Sequence, residues 1–258
     1  MPGNQVALIN VFNWTELASR LFLWDLDTDD VSTLIPGGIS AHFSPDGQNL
    51  LFTTMGPYSL YTSTITGELT VDPISDSGTI YLQLMDFPER QVLMSLPSIT
   101  WDKFRDTPRG YFNVAWFSPD GHYLAFQSRG SVVTNESGWP SAIDPDDATH
   151  IYLNILDLRQ KKLIYSFVGP QYWSEIGWAP TSDKFIYRNP YNEWMLIDLS
   201  TMELLPITVR NGSLISENPA WSYDGNYLSL TTRLPIYKND ISMNRTYVFN
   251  LSQPRDVK

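Results

Sequence analysis

The stretch Phe117-Ser118-Pro119-Asp120-Gly121, followed by His122-Tyr123-Leu124-Ala125-Phe126, decides the fold of this chain. Pro119 presets φ at the first corner of a turn, Asp120 can bond its own downstream backbone, and Gly121 accepts a positive φ. The pattern returns as Phe43-Ser44-Pro45-Asp46-Gly47 and as Trp221-Ser222-Tyr223-Asp224-Gly225, and in degenerate form as Trp178-Ala179-Pro180-Thr181-Ser182. Beyond each turn, Leu50, Leu124, Phe185 and Leu228 are followed two residues later by Phe52, Phe126, Tyr187 and Leu230. That is the period of a strand, so each copy predicts a β-hairpin corner.

A further strand-like run follows each hairpin and closes on an acidic turn in most cases: Leu21 to Asp25, Ile80 to Asp86, Ile151 to Asp157, Trp194 to Asp198, and Tyr247 to Leu251. A fourth short run follows most of these, at Val31 to Ile35, Gln91 to Leu96, Lys162 to Val168 and Leu205 to Val209. Four strands per unit, here a, b, c and d, in series predict an all-β propeller. With Trp-Ser-Pro-Asp-Gly-like turns and an Ile-Tyr-Leu-Asn-Ile-Leu-Asp strand at 151–157, the repeat resembles the WD40-like β-propeller repeats of the TolB type, over most of the chain. The resemblance implies a binding platform, an assembly partner or the non-catalytic domain of a prolyl-oligopeptidase-type peptidase, and it leans toward an extracytoplasmic setting. Fold alone does not choose among these.

The expectation is one propeller domain over residues 1–258, with about five blades. Either the ring closes by pairing Gln5 to Phe12 and Leu21 to Ile35 with the C-terminal strand, or the chain is a segment of a six- to eight-bladed ring. The 17 basic and 28 acidic residues give a formal charge of −11, which speaks against phosphate backbones and anionic lipid surfaces as partners. Hydrophobic residues at 42% and charged ones at 17% suit one sizeable core. The absence of cysteine excludes disulfides, thiolate metal sites and a cysteine nucleophile. Met1-Pro2-Gly3-Asn4-Gln5 lacks the pattern of a signal peptide, so either Met1 is a native start or the chain is an excised piece.

Matching turn positions 46, 120, 181 and 224 are separated by 74, 61 and 43 residues. A bare blade takes roughly 40 to 45. The surplus falls in 53–79, 98–112 and 129–149, with a further b–c connection at 231–244, and blade topology sends all four to one end of the strands. That end is the expected interaction surface, because binding residues concentrate on elaborated loops over a rigid scaffold. Its candidates are Tyr58 and Tyr61, then Trp101, Lys103, Arg105 and Arg109, then Trp139 with Asp144, Asp146 and Asp147. Aromatic residues and arginine are the usual interface anchors. Such loops can also fold back, with their Trp and Tyr residues covering the core.

Catalytic patterns are missing. There is no Gly-x-Ser-x-Gly elbow, P-loop or dinucleotide fingerprint. His42, His122 and His150 lie far apart in sequence and predict neither a metal pair nor a triad. Asp25, Asp27 and Asp29 open like an EF-hand loop, but Asp30 stands where Gly is needed and Pro36 where the bidentate Glu belongs, so a solvated turn is expected. Asp46, Asp120 and Asp224 recur once per blade and read as turn formers. The expected function is a non-enzymatic scaffold without cofactor or metal that binds a protein or peptide, with an accessory peptidase propeller or a small-ligand or glycan binder as alternatives.

Overall fold

The computed structural model describes residues 5–13, 18–36, 38–55, 58–62, 69–73, 79–100, 115–147, 150–169, 176–189, 191, 193–207, 219–235 and 242–251. Within them the only helical segment is a 3-10 turn at Pro145–Asp147, and everything else regular is strand. Blade 1 is the sheet β1 (Val6–Asn13), β2 (Ala18–Asp25) and β3 (Asp30–Pro36). Blade 2 orders β4 (Gly38–Phe43), β5 (Asn49–Met55), β8 (Thr79–Asp86) and β9 (Gln91–Thr100), with a side hairpin of β6 (Tyr58–Thr62) and β7 (Leu69–Pro73). Blade 3 orders β10 (Ala115–Phe117), β11 (Tyr123–Arg129), β14 (Ile151–Asp157) and β15 (Lys162–Val168), with a side hairpin of β12 (Val132–Thr134) and β13 (Pro140–Ile143). Blade 4 is β16 (Ile176–Trp178), β17 (Lys184–Arg188), β18 (Trp194–Asp198) and β19 (Glu203–Ile207). Blade 5 is β20 (Ala220–Trp221), β21 (Tyr227–Pro235) and β22 (Ser242–Asn250). All pairings are antiparallel, the meander expected of propeller blades.

The repeated turn does what its residues predict. In blade 3 Ser118 Oγ donates to Asp120 Oδ1 at 2.7 Å while accepting the Tyr123 amide at 2.9 Å, and the Gly121 amide returns to the Ser118 carbonyl. Blades 2 and 5 repeat this with Ser44, Asp46 and Asn49 and with Ser222, Asp224 and Tyr227. The degenerate turn keeps the backbone bonds, Ala179 N to Lys184 O and Ser182 N to Ala179 O, but Ser182 must adopt φ 64° where its counterparts are glycine. Its side-chain bond shifts by two residues, Thr181 Oγ1 donating to the Asp183 carboxylate.

At the end of each c strand a second repeated bond ties the blade together. Leu26, Phe87, Leu158, Leu199 and Leu251 each donate an amide to the residue just before strand b, at Gln5, Gln48, His122, Asp183 and Asn226 respectively. This equivalence makes β1 the b strand of its blade. Blade 1 therefore lacks an a strand and blade 5 a d strand among the described residues, and no ladder there joins β1, β2 or β3 to β22. The strand pairing expected to close a five-bladed ring is not formed among them. The stretch 231–244 is largely ladder rather than loop, because β21 and β22 stay paired as far as Pro235 and Ser242.

Alternation along b and c gives each blade two apolar faces, and these stack in series. Leu50, Phe52 and Met85 pack on Leu21 and Ile35 of blade 1, while Leu51, Leu82 and Leu84 pack on Leu124, Phe126 and Leu156 of blade 3. Ala125, Leu153 and Ile155 then meet Phe185, Tyr187 and Ile197 of blade 4, and Ile186, Trp194 and Leu196 meet Leu228 and Leu230 of blade 5. The inner turns stack as well. A Cβ on Gly121 would lie 3.4 Å from the Asp46 carboxyl, one on Gly225 would lie 2.5 Å from Thr181 Oγ1, and the Asp120 amide donates to Ser182 Oγ at 3.0 Å.

Candidate binding surfaces

The b–c end of the blades carries the long connections, as the spacing of the turns predicts. Tyr58 and Tyr61 lie on β6, registered opposite Pro73 and Thr70 of β7. Trp101, Lys103, Arg105 and Arg109 lie outside the described residues, between β9, which ends at Thr100, and β10, which begins at Ala115.

Trp139 is the one candidate anchor whose side chain is described. The blade 3 hairpin returns along the outer edge of the disc instead of standing clear of it. Its tip is set by Asn135, whose carboxamide oxygen accepts the Ser137 and Trp139 amides, each at 3.0 Å. Gly138 O accepts the Leu163 amide of β15 at 2.9 Å, and Trp139 Nε1 donates to Leu93 O of β9 at 2.8 Å. Val132, Trp139 and Ile143 pack on the apolar cluster between blades 2 and 3. The hairpin is thus a strap across that seam, and the polar atom of Trp139 is used within the fold.

Asp144, Asp146 and Asp147 cap the base of this hairpin. Asp144 Oδ1 accepts the Asp146 amide at 2.9 Å, and hydrogen bonds from Tyr152 and His150 hold the Asp147 carboxyl below its usual range. Gly130 is required beneath them, with φ 102° and only 2.7 Å between an added Cβ and Asp144 O. The Asp25, Asp27 and Asp29 turn is likewise occupied by its own chain. Asp25 Oδ1 accepts the Asp27 and Thr28 amides, and Asp29 accepts Trp24 Nε1 at 2.9 Å. Among the described residues no group of three or more His, Cys, Asp or Glu could hold a metal ion.

A second surface lies at the opposite, tight-turn end, where sequence reasoning placed only structural turns. His122 Nε2 sits 3.0 Å from Asp157 Oδ1, and Asp157 is buried at 2% exposure. The two are 35 residues apart, but register pairs Tyr123 with Asp157, so the residue before strand b necessarily borders the end of strand c. His122 stacks on Tyr123 at 4.1 Å and Tyr123 on Trp178 of blade 4 at 5.9 Å. Burial, reinforced by Asp157 and Asp120, pushes the Tyr123 phenol up and keeps it neutral. A crevice of about 200 Å³ opens beside this stack, between blades 3 and 4. The signal that locates it is the blade geometry, since neither residue belongs to a local motif.

No protein-family model matches the sequence. No curated protein matches it either. Among solved structures it is similar to the β-propeller domain of the trilobed protease from Pyrococcus furiosus, described as having an open velcro topology, with 13% identity, TM-score 0.52, and coverage of 96% of this chain and 65% of that one. It is also similar to an acylaminoacyl peptidase in complex with Z-Gly-Gly-Phe-chloromethyl ketone, with 13% identity, TM-score 0.51, and coverage of 95% of this chain and 36% of that one. This chain therefore spans less than two thirds of either structure. At these identities the likeness is one of fold. The repeated turn, the four-stranded meander and the shared architecture are those of a β-propeller.

Proposed function

We propose that this propeller is a non-catalytic scaffold that holds a protein or peptide partner at the b–c end of its blades. The observation that supports this is the asymmetry between the two ends. At the tight-turn end blades 2, 3 and 5 close with the same short, internally bonded turn, and blade 4 closes with its drifted form. At the other end β21 and β22 extend four residues past Thr231 and Thr246, β6 and β7 form an added hairpin, and β9 delivers the chain from Thr100 toward the connection bearing Trp101, Lys103, Arg105 and Arg109. Four residues of strand project by roughly 13 Å, enough to raise a rim around a partner. Arg105 and Arg109 are cations in a chain of net charge −11, and suit an acidic partner.

Charge reversal tests this reading: Arg105→Glu with Arg109→Glu, compared with the parent chain in quantitative capture and with thermal melts run in parallel. Loss of the same captured partner with an unchanged melt supports the surface, and unchanged capture counts against it. A second reading, an accessory propeller that gates substrate for a peptidase, draws on the membership of both similar structures in peptidases. It predicts a Gly-x-Ser-x-Gly elbow in the same polypeptide or in a stable partner.

A further inference from the structure

The crevice between blades 3 and 4 lies at the tight-turn end, away from the surface proposed above, and is lined by Asp120, His122, Tyr123, Ser182, Asp183 and Ser200, among others. Its chemistry follows from a count of protons. Thr181 donates its hydroxyl to Asp183, Ser200 donates to Asp198, and the Ser182 hydroxyl is shared with Asp120. A carboxylate can only accept, so His122 donates a proton from Nε2 to Asp157. The amides of His122, Leu199 and Ser200 are also committed, to Asp120 Oδ1, the Asp183 carbonyl and Asp198 Oδ1.

What remains toward the crevice is chiefly acceptor capacity, on the Asp120 and Asp183 carboxylates and on the Tyr123 hydroxyl, which can accept as well as donate, while the Lys184 ammonium pairs with Asp183 Oδ2 at 2.6 Å. Burial works against the charges of Asp120 and Asp183. Hydrogen bonds from Ser118, His122 and Ser182 nevertheless hold the first below the usual carboxylate range, and those from Lys184 and Thr181 hold the second below it, so both are anionic at neutral pH. One wall is aromatic, with the His122 and Tyr123 rings stacked on each other at 4.1 Å, and Leu199 beside it is buried. At about 200 Å³ the space is smaller than the ~300 to 1,000 Å³ typical of whole small-molecule sites, and matches one side chain.

We infer that this crevice receives the guanidinium of an arginine side chain presented by a protein or peptide. A guanidinium carries five donors and no acceptor, pairs with carboxylates and packs against aromatic side chains, so it complements the anionic, aromatic-walled lining. The two carboxylates come from neighbouring blades that the Asp120 N to Ser182 Oγ bond holds in register, so the receptor exists before the ligand arrives.

The test is an NMR titration of the intact chain with N-acetyl-Gly-Arg-Gly-amide, following the His122 ring signals, with citrulline and lysine counterparts and free arginine amide as further arms. The arginine peptide should shift His122 saturably. The citrulline peptide should bind at least tenfold more weakly, and so should the arginine peptide to Asp183→Asn. Ser200→Lys, which leaves both turn carboxylates in place and supplies its own ammonium, should also lose at least tenfold, with thermal melts establishing that each variant folds. Equal binding of citrulline, retention by Ser200→Lys, or no His122 shift would overturn the assignment. Equal affinity for the lysine peptide would overturn the choice of guanidinium, and equal affinity for free arginine amide would overturn a peptide-borne ligand.

Discussion

Blade 3 turns Ala125, Leu153 and Ile155 toward its neighbour and buries all three completely, whereas blade 5 presents Ser229, Thr246 and Val248 at the same strand positions, with Val248 67% exposed. The Thr231 and Thr246 hydroxyls bond each other at 3.1 Å on that exposed face. Turn, register and c-strand closure are otherwise alike in the two blades. A blade's fold is therefore set by its turns and its inner ladder, while its readiness to receive another blade is written separately, in alternate residues of b and c. A polar outer face is what a terminal unit of a stacked array needs. Among the described residues nothing lies within 4 Å of a Cβ on Gly47, since blade 1 has no described a–b turn, whereas Gly121 and Gly225 each abut the turn of the preceding blade.

The largest effect should come from the inner seams. Phe126→Ala is expected to cost about 3 to 5 kcal/mol by emptying fully buried volume between blades 2 and 3, read by urea denaturation. A loss below 1 kcal/mol would mean that this seam is not packed as described.

Gly225→Ala and Gly47→Ala ask whether the inner turns really touch. Both positions have positive φ, 67° and 71°, so both should lose about 1 to 2 kcal/mol from backbone strain. Only Gly225→Ala also drives a Cβ into Thr181, adding about 1 kcal/mol or more. Equal losses would remove the evidence for stacked turns.

Trp139→Phe keeps much of the ring contact but leaves Leu93 O without the indole proton, an expected cost of about 1 kcal/mol. If partner capture fell while the melt stayed unchanged, Trp139 would be an anchor rather than part of the strap. Val248→Ala, at the exposed face, should change stability by no more than about 0.5 kcal/mol. A loss comparable with Phe126→Ala would mean that the face is covered in solution.

The blade pattern was legible because its information is local. Ser-Pro-Asp-Gly turns and the Leu124 and Phe126 alternation fix hairpins within ten residues. Even the drifted turn at Ala179 to Ser182 was readable from Trp178, Pro180 and the strand beyond. The strap was harder to read, because the position of Trp139 depends on a carbonyl 46 residues away in another blade. His122 was set aside for the same reason: its partner Asp157 becomes a neighbour only through the b–c register. The true extent of β21 and β22 was missed because residues 231–244 offer Thr, Arg, Asn and Ser on a ladder held by backbone bonds, without the apolar alternation that marks a half-buried strand.

Amide hydrogen exchange tests the contrast between inner blades and the last blade most directly. β14 is bonded on both sides, by β11 and β15, while β22 is bonded among the described residues by β21 alone. The account predicts strong protection throughout β14 and rapid exchange at alternate amides of β22. Protection of β22 as complete as that of β14 would contradict it, and would mean that a further strand covers this edge and that blade 5 is an inner blade of a continued ring.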